Sequence, residues 1–363
     1  MQKLSVREVS LAALLSYVML VGLAVQAQSP AATDAGKPVA TNMASPAVHV
    51  PSEITTPRTT EDLSTPSLTG SRMEVGEPLV GEVDQHPGYT RELTRVQWRG
   101  GDPIDLYIVK PQGVEKPPVI LYLYSYPFEL DRFQDEAFCR FLTKDGFAAI
   151  AFPSALTADR YHGVPMKKWF VSELQFSLAA TAHDVQLLLN YLATRGDMDM
   201  NRVGAFGDGS GATIAILAAA ADPRIKTLDL LDPWGDWPDW VAKSTLIPEN
   251  ERADYLKPEW LKGVAPLDPI KWLPELKQQT VRIQMIGSVT VTPEDVKKKL
   301  KAVAPPNAEI VHYADSKAFK NTVANGTGFD WLKQHVQPGT AASQANGDLR
   351  SSSSTAFAKD LRH

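Results

Sequence analysis

Gly207-Asp208-Gly209-Ser210-Gly211 is the stretch of this chain whose residue types and spacing best suit chemistry. A short apolar run, Val203 to Phe206, leads into it, and a run of small residues, Ala212 to Ala221, leads out. A strand that turns sharply into a helix points backbone N–H groups at whatever sits on the turn, which suits a developing oxyanion. Ser210 would supply a hydroxyl nucleophile there, and Asp208 an acidic group beside it. Both residues also have plain structural uses, because a hydroxyl or carboxylate at a helix N-terminus satisfies free N–H groups and complements the helix dipole. The segment lacks the Lys-Ser/Thr pair of a phosphate loop, and no Gly-rich turn after an early strand reads as a dinucleotide site. No cofactor is expected.

A second candidate region runs from Asp232 to Lys277 and holds five of the eight tryptophans: Trp234, Trp237, Trp240, Trp260 and Trp272. Asp232, Trp234 and Trp237 are candidates to line a pocket for an apolar, aromatic or sugar-like ligand. The alternative is that the rings only pack this segment onto its neighbours. Asp236 and Asp239 lack a trustworthy metal-ligand spacing, and Cys139 is the single cysteine, so no metal site and no intramolecular disulfide are expected. Among the histidines, His183 reads as a surface or capping residue and His312 as a strand residue, while His162 lies in a loop that could reach a cleft.

These residues need a scaffold, and strand and helix patterns alternate along the chain. Val96 to Arg99 and Ile104 to Val109 flank Gly100-Gly101 as a hairpin would, and Pro118 to Tyr124 and Phe147 to Phe152 read as buried strands. Further strands are expected at Val203 to Phe206, Thr227 to Leu231, Val281 to Ile286 and Glu309 to Tyr313. Helices are expected at Asp135 to Asp145, Thr181 to Ala193, Ala212 to Ala221, Pro293 to Ala304 and Phe329 to Val336. This alternation predicts an α/β domain with a doubly wound, mostly parallel sheet.

The whole chain has 363 residues, 42 acidic and 37 basic side chains, and a net charge of -5. It carries no basic footprint for a phosphate backbone, so nucleic acid is not an expected partner. Lys3 and Arg7 precede an apolar run of about 15 residues that ends at Val25-Gln26-Ala27, the layout of a secretory signal peptide over residues 1–27. The run is short of the length of a membrane-spanning helix, so the mature chain is expected to have no such span and to be periplasmic or extracellular. Residues 28–75 contain 6 Pro, 6 Ser and 8 Thr and predict a disordered tether. Residues 338–363 predict a disordered tail, which leaves 76–337 as one domain.

Residues 202–226 resemble the nucleophile-elbow region of the α/β-hydrolase superfamily, especially its dienelactone-hydrolase and acyl-peptidase-like branches. There a short strand ends in Gly-x-Ser-x-Gly, a small-residue helix follows, and Asp-Pro-Arg-Ile, here Asp222 to Ile225, leads to the next strand. The resemblance extends in element order over residues 95–336. It implies a helical cap at residues 232–277, between the sixth and seventh strands. It also places Gly207 and Gly211 at the two obligatorily small positions and Gly209 where the family keeps its serine. The family's acid would fall in Gly287 to Thr292, which holds no carboxylate, and its histidine near Ala318. The glycines of the family's oxyanion loop are replaced by Tyr124-Ser125-Tyr126-Pro127, with Ser125 and Tyr126 at the oxyanion position. The resemblance therefore implies an exported hydrolase-fold protein that has lost the triad and binds a small-molecule or peptide ligand. The alternative is an active ester or peptide hydrolase in which the elbow slips by one residue, making Ser210 the nucleophile with Asp208 close by.

Overall fold

The computed structural model describes residues 60–73, 75–124, 131–156, 160, 170–325 and 327–337. The expected signal peptide and C-terminal tail lie outside the described residues, as does the first part of the expected tether. Among the described residues nine strands form one sheet: β1 (Leu79–His86), β2 (Tyr89–Arg99), β3 (Asp102–Pro111), β4 (Pro118–Leu123), β5 (Ala148–Ala151), β6 (Asp199–Asp208), β7 (Ile225–Leu231), β8 (Thr280–Ile286) and β9 (Glu309–Tyr313). Their order is β1-β2-β3-β5-β4-β6-β7-β8-β9. The pairs from β1 to β5 along this order are antiparallel, and all the pairs from β5 to β9 are parallel. The mostly parallel, doubly wound sheet is the one the alternation of patterns predicts.

The helices are α1 (Glu136–Thr143), α2 (Leu174–Arg195), α3 (Ser210–Ala221), α4 (Trp237–Lys243), α5 (Glu249–Tyr255), α6 (Pro258–Val264), α7 (Pro269–Trp272), α8 (Glu294–Val303), α9 (Ser316–Ala324) and α10 (Asp330–Val336). Asp135 starts α1 by accepting a hydrogen bond from the Phe138 N–H at 2.7 Å, the use a cap carboxylate has. Gly196 ends α2 in the left-handed region at φ 70°, where a residue without Cβ is favoured. α2 begins seven residues before the expected Thr181, because Leu174 and Leu178 extend its buried face.

Alternate residues of β6 show how the layers sit. A Cβ on Gly204 would meet Leu332 and Val336 of α10, whereas one on Gly207 would meet Ala212 of α3 at 2.5 Å. Residues an odd number apart on a strand face opposite sides, and 204 and 207 are three apart, so α10 and α3 lie on opposite faces of the sheet. An aromatic cluster of Tyr122, Phe206 and Phe329 fills the α10 side. Ala-rich α3 packs closely against β4, β6, β7 and α2 on the other.

Two expectations need correction here. Strand β1 carries no strand signal, being an exposed edge with Gly81 at a bulge, so the strands flanking the Trp-rich insert are the seventh and eighth, β7 and β8. Residues 60–73, expected to belong to the tether, instead pack on α2. Leu63, Leu68 and Met73 lie against the core, and the Leu68 N–H donates to Gln186 Oε1 at 3.1 Å. A composition averaged over 48 residues hid a short segment with its own apolar anchors. Among the described residues, no helix is long and apolar enough to cross a membrane.

Candidate functional site

β6 turns into α3 at Gly209, whose φ of 53° and ψ of -114° form a backbone shape that side chains strongly disfavour. The Gly209 N–H donates to Leu231 O of β7 at 2.8 Å, and the Thr213 N–H returns to Gly209 O at 3.2 Å. The flanking glycines lock the register of this turn. A Cβ on Gly207 would lie 2.5 Å from Ala212 Cα, and one on Gly211 would strike the backbone carbonyl of Leu123. Only residues 207 and 211 can therefore be the small positions, and residue 209 is the apex. The chemistry-bearing side chain that such an apex displays is absent, because the apex residue is glycine.

Ser210 stands one residue past the apex, as the first residue of α3, and is 0% exposed. A slip of one residue that would lift it to the apex would place Asp208 where a Cβ already collides. Asp208 is half-buried at the end of β6. Burial pushes its carboxyl up to about 6, although the Arg132 guanidinium pulls the other way. Arg132 lies with its guanidinium carbon 4.4 Å from the centre of the Tyr124 ring, a cation–π geometry. Ser125, Tyr126 and His162 lie outside the described residues.

Asp232, a candidate pocket residue, directly follows β7. It is buried at φ 42°, with its Oδ1 accepting from the Ile286 N–H at 3.1 Å and its carbonyl accepting from Thr292 Oγ1 at 2.9 Å. Burial pushes its carboxyl up to about 7, against the pull of Lys297 and the Ile286 N–H. Lys297, itself buried, donates to the carbonyls of Ile286 at 2.6 Å and Val289 at 2.8 Å. The loop after β8 is thus tied down by a lysine and an aspartate from neighbouring elements, in the place where an acid would be presented. Lys297 has no sequence signal beyond lying one helical turn past Glu294, so sequence reasoning had no means of finding it.

The loop after β9 is similar. Asp315 accepts from the Ala318 N–H at 2.8 Å and caps α9, and Ser288 Oγ accepts from the Ser316 N–H at 3.3 Å. Among the described residues, no histidine makes a hydrogen bond or ion pair with Asp208 or Asp232. His312 is exposed on edge strand β9. His183 is not on the surface as expected but 0% exposed on α2. No group of metal-binding side chains occurs among the described residues.

Trp234 and Trp237 do not line an accessible pocket. They are 1% exposed, and Trp240 is 0% exposed. Trp234 and Trp240 stack with ring centres 4.8 Å apart, and Trp237 meets Trp240 edge-on at 5.8 Å. Thr213 Oγ1 of α3 donates to Trp234 O at 2.7 Å, which fixes the insert to the elbow helix. Asp268 completes the join by accepting from the N–H groups of Asp236, Trp237 and Ile270 at 2.9, 3.2 and 3.0 Å. The rings pack the insert onto the domain.

No family model and no curated protein sequence matches the chain. Solved structures do. An acetyl xylan esterase 1 from Thermoanaerobacterium sp. JW/SL YS485 is similar at a TM-score of 0.51 and 16% identity, over 67% of this chain and 81% of that one. An acetyl xylan esterase from Paenibacillus sp. R4 is similar at 0.53 and 16% identity, over 70% of this chain and 84% of that one. A cold-adapted esterase from an Arctic intertidal metagenomic library is similar at 0.50 and 15% identity, over 73% of this chain and 100% of that one. At these identities the likeness is one of architecture, and the architecture is the α/β-hydrolase fold.

Proposed function

We propose that this chain is a hydrolase-fold protein that no longer performs serine-hydrolase chemistry and acts as a binding module. The reading rests above all on Gly209: the strained apex is kept, its register is locked by Gly207 and Gly211, and the apex residue has no side chain to attack a carbonyl. The buried position of Ser210 and the two loops without a serviceable acid or histidine support it. The ligand, a small molecule or a peptide, would meet the carboxyl ends of β4, β6 and β7, where α/β sheets bind their ligands. Tyr124, Arg132 and Asp208 are the side chains to receive it there. Export through the N-terminal 27 residues to the periplasm or medium belongs to the same proposal.

Fluorophosphonate labelling of the full chain, read by intact mass, tests the reading. The wild type is expected to take up no probe and to leave p-nitrophenyl acetate unhydrolysed. Probe mass mapping to Ser210 would overturn the proposal. Acetylated xylan fragments, the substrate class in the names of two similar structures, are the first ligands to screen. A binding signal weakened by Arg132→Ala or Asp208→Asn would place the ligand at the elbow.

A further inference from the structure

A set of buried charges lies between residues 60–73 and α2. Residues 60–73 form a strap, closed on itself by the Thr60 and Arg72 backbones, which exchange hydrogen bonds at 3.1 and 2.7 Å. Its Glu61 accepts from Arg99 Nε of β2 at 2.7 Å and from Arg99 Nη2 at 2.5 Å. Arg99 also pairs with Asp184 of α2, which in turn receives Arg160 Nη1 at 2.7 Å, and Arg160 reaches Asp102 of β3 at 2.5 Å. Gln186 of α2 donates to Pro66 O at 2.7 Å and accepts from the Leu68 N–H at 3.1 Å.

His183 sits in the middle of this set. Its Nδ1 lies 2.6 Å from Glu61 Oε1, and its Nε2 lies 3.0 Å from Thr65 O. A backbone carbonyl only accepts, and an ionised carboxylate only accepts. Burial pushes the Glu61 carboxyl up, but hydrogen bonds from Arg99 and His183 outweigh this and bring it down to about 2. It is a carboxylate at any ordinary pH, so both ring nitrogens of His183 must donate. The docked strap therefore requires an imidazolium, whose charge is met by Glu61 and Asp184 and opposed by Arg99 and Arg160. Asp62, at the surface of the strap, adds a further negative charge that interacts with His183.

We propose that residues 60–73 are a pH-sensitive latch, docked on α2 only while His183 holds protons on both ring nitrogens and loosened as the pH rises. A docked state that must carry a bound proton loses ground to the undocked state as protons become scarce.

Hydrogen exchange on the full chain tests this. Protection of the Leu68 and Arg72 amides, corrected for intrinsic exchange, is expected to fall about tenfold or more between about pH 5.5 and about pH 9, as loss of a charge-assisted hydrogen bond would give. The amides of β6 report unfolding of the domain and are expected to stay protected. In His183→Gln and in Glu61→Gln, strap protection is expected to be lower at the acid end and no longer to vary with pH. Constant strap protection in the wild type would overturn the proposal, as would a variant that keeps the pH dependence. Nitrogen NMR of the His183 ring at the acid end of that range gives a check that needs no variant: two protonated nitrogens are expected, and a bare one would refute the latch.

Discussion

The elbow at Gly209 and the latch at His183 are built in opposite ways. At the elbow the backbone is strained, closely packed and fixed to within one residue, yet the apex bears no side chain. At the latch the backbone is ordinary helix and a strap of turns, while buried side chains supply two arginines, a histidine and three carboxylates. The elbow shows that glycine contacts and inter-strand hydrogen bonds can hold a strained turn without help from a side chain at its apex. The latch shows the converse. A concentration of buried ionisable groups, often a sign of a reactive centre, here holds a peripheral segment in place.

Three substitutions would break or sharpen this contrast. Gly211→Ala is expected to have the largest effect, because the new Cβ would strike the Leu123 carbonyl, a backbone group with no freedom to give way. A loss of at least about 4 kcal/mol in denaturant unfolding, or failure to fold, is expected. A small loss would mean that the elbow is not held by packing. Asp184→Ala leaves Arg99 and Arg160 buried without their shared partner and is expected to cost about 3 kcal/mol. If urea midpoints barely move, the latch network is a surface feature rather than part of the core. Gly209→Ala should have the smallest effect, about 1 to 2 kcal/mol, the cost of a side chain at positive φ. A much larger loss would show that the space above the apex has closed, and thermal unfolding of the purified variant would report it.

The strands and helices were legible where their patterns are strong. β9 falls at its expected bounds, and β4, β8, α3, α8 and α10 begin and end within about two residues of them. β1 escaped notice because an edge strand need not alternate apolar and polar residues, and Leu79, Val80 and Val83 are all exposed. The insert's tryptophans were countable but their direction was not. Whether a ring faces a cleft or the core depends on how α4 and α7 dock, which Asp268 decides from 31 residues away. The strap was misjudged because its neighbours are poor in apolar residues, while its own anchors, Glu61 and Leu68, find partners on β2 and α2 more than 35 residues distant.

The amino-acid sequence alone determined the mostly parallel α/β architecture and the position of the turn from β6 to α3, because hydrophobic periodicity and small residues act locally. It also determined that the apex residue is glycine. Only the tertiary structure decided that the register could not slip to Ser210, since the atoms that forbid it include the Leu123 carbonyl of a neighbouring strand as well as Ala212 of α3. In the same way it decided that His183 is buried with an acceptor at each ring nitrogen. The Glu61 carboxylate and Thr65 carbonyl that demand its two protons are brought to it by folding, from more than 115 residues away.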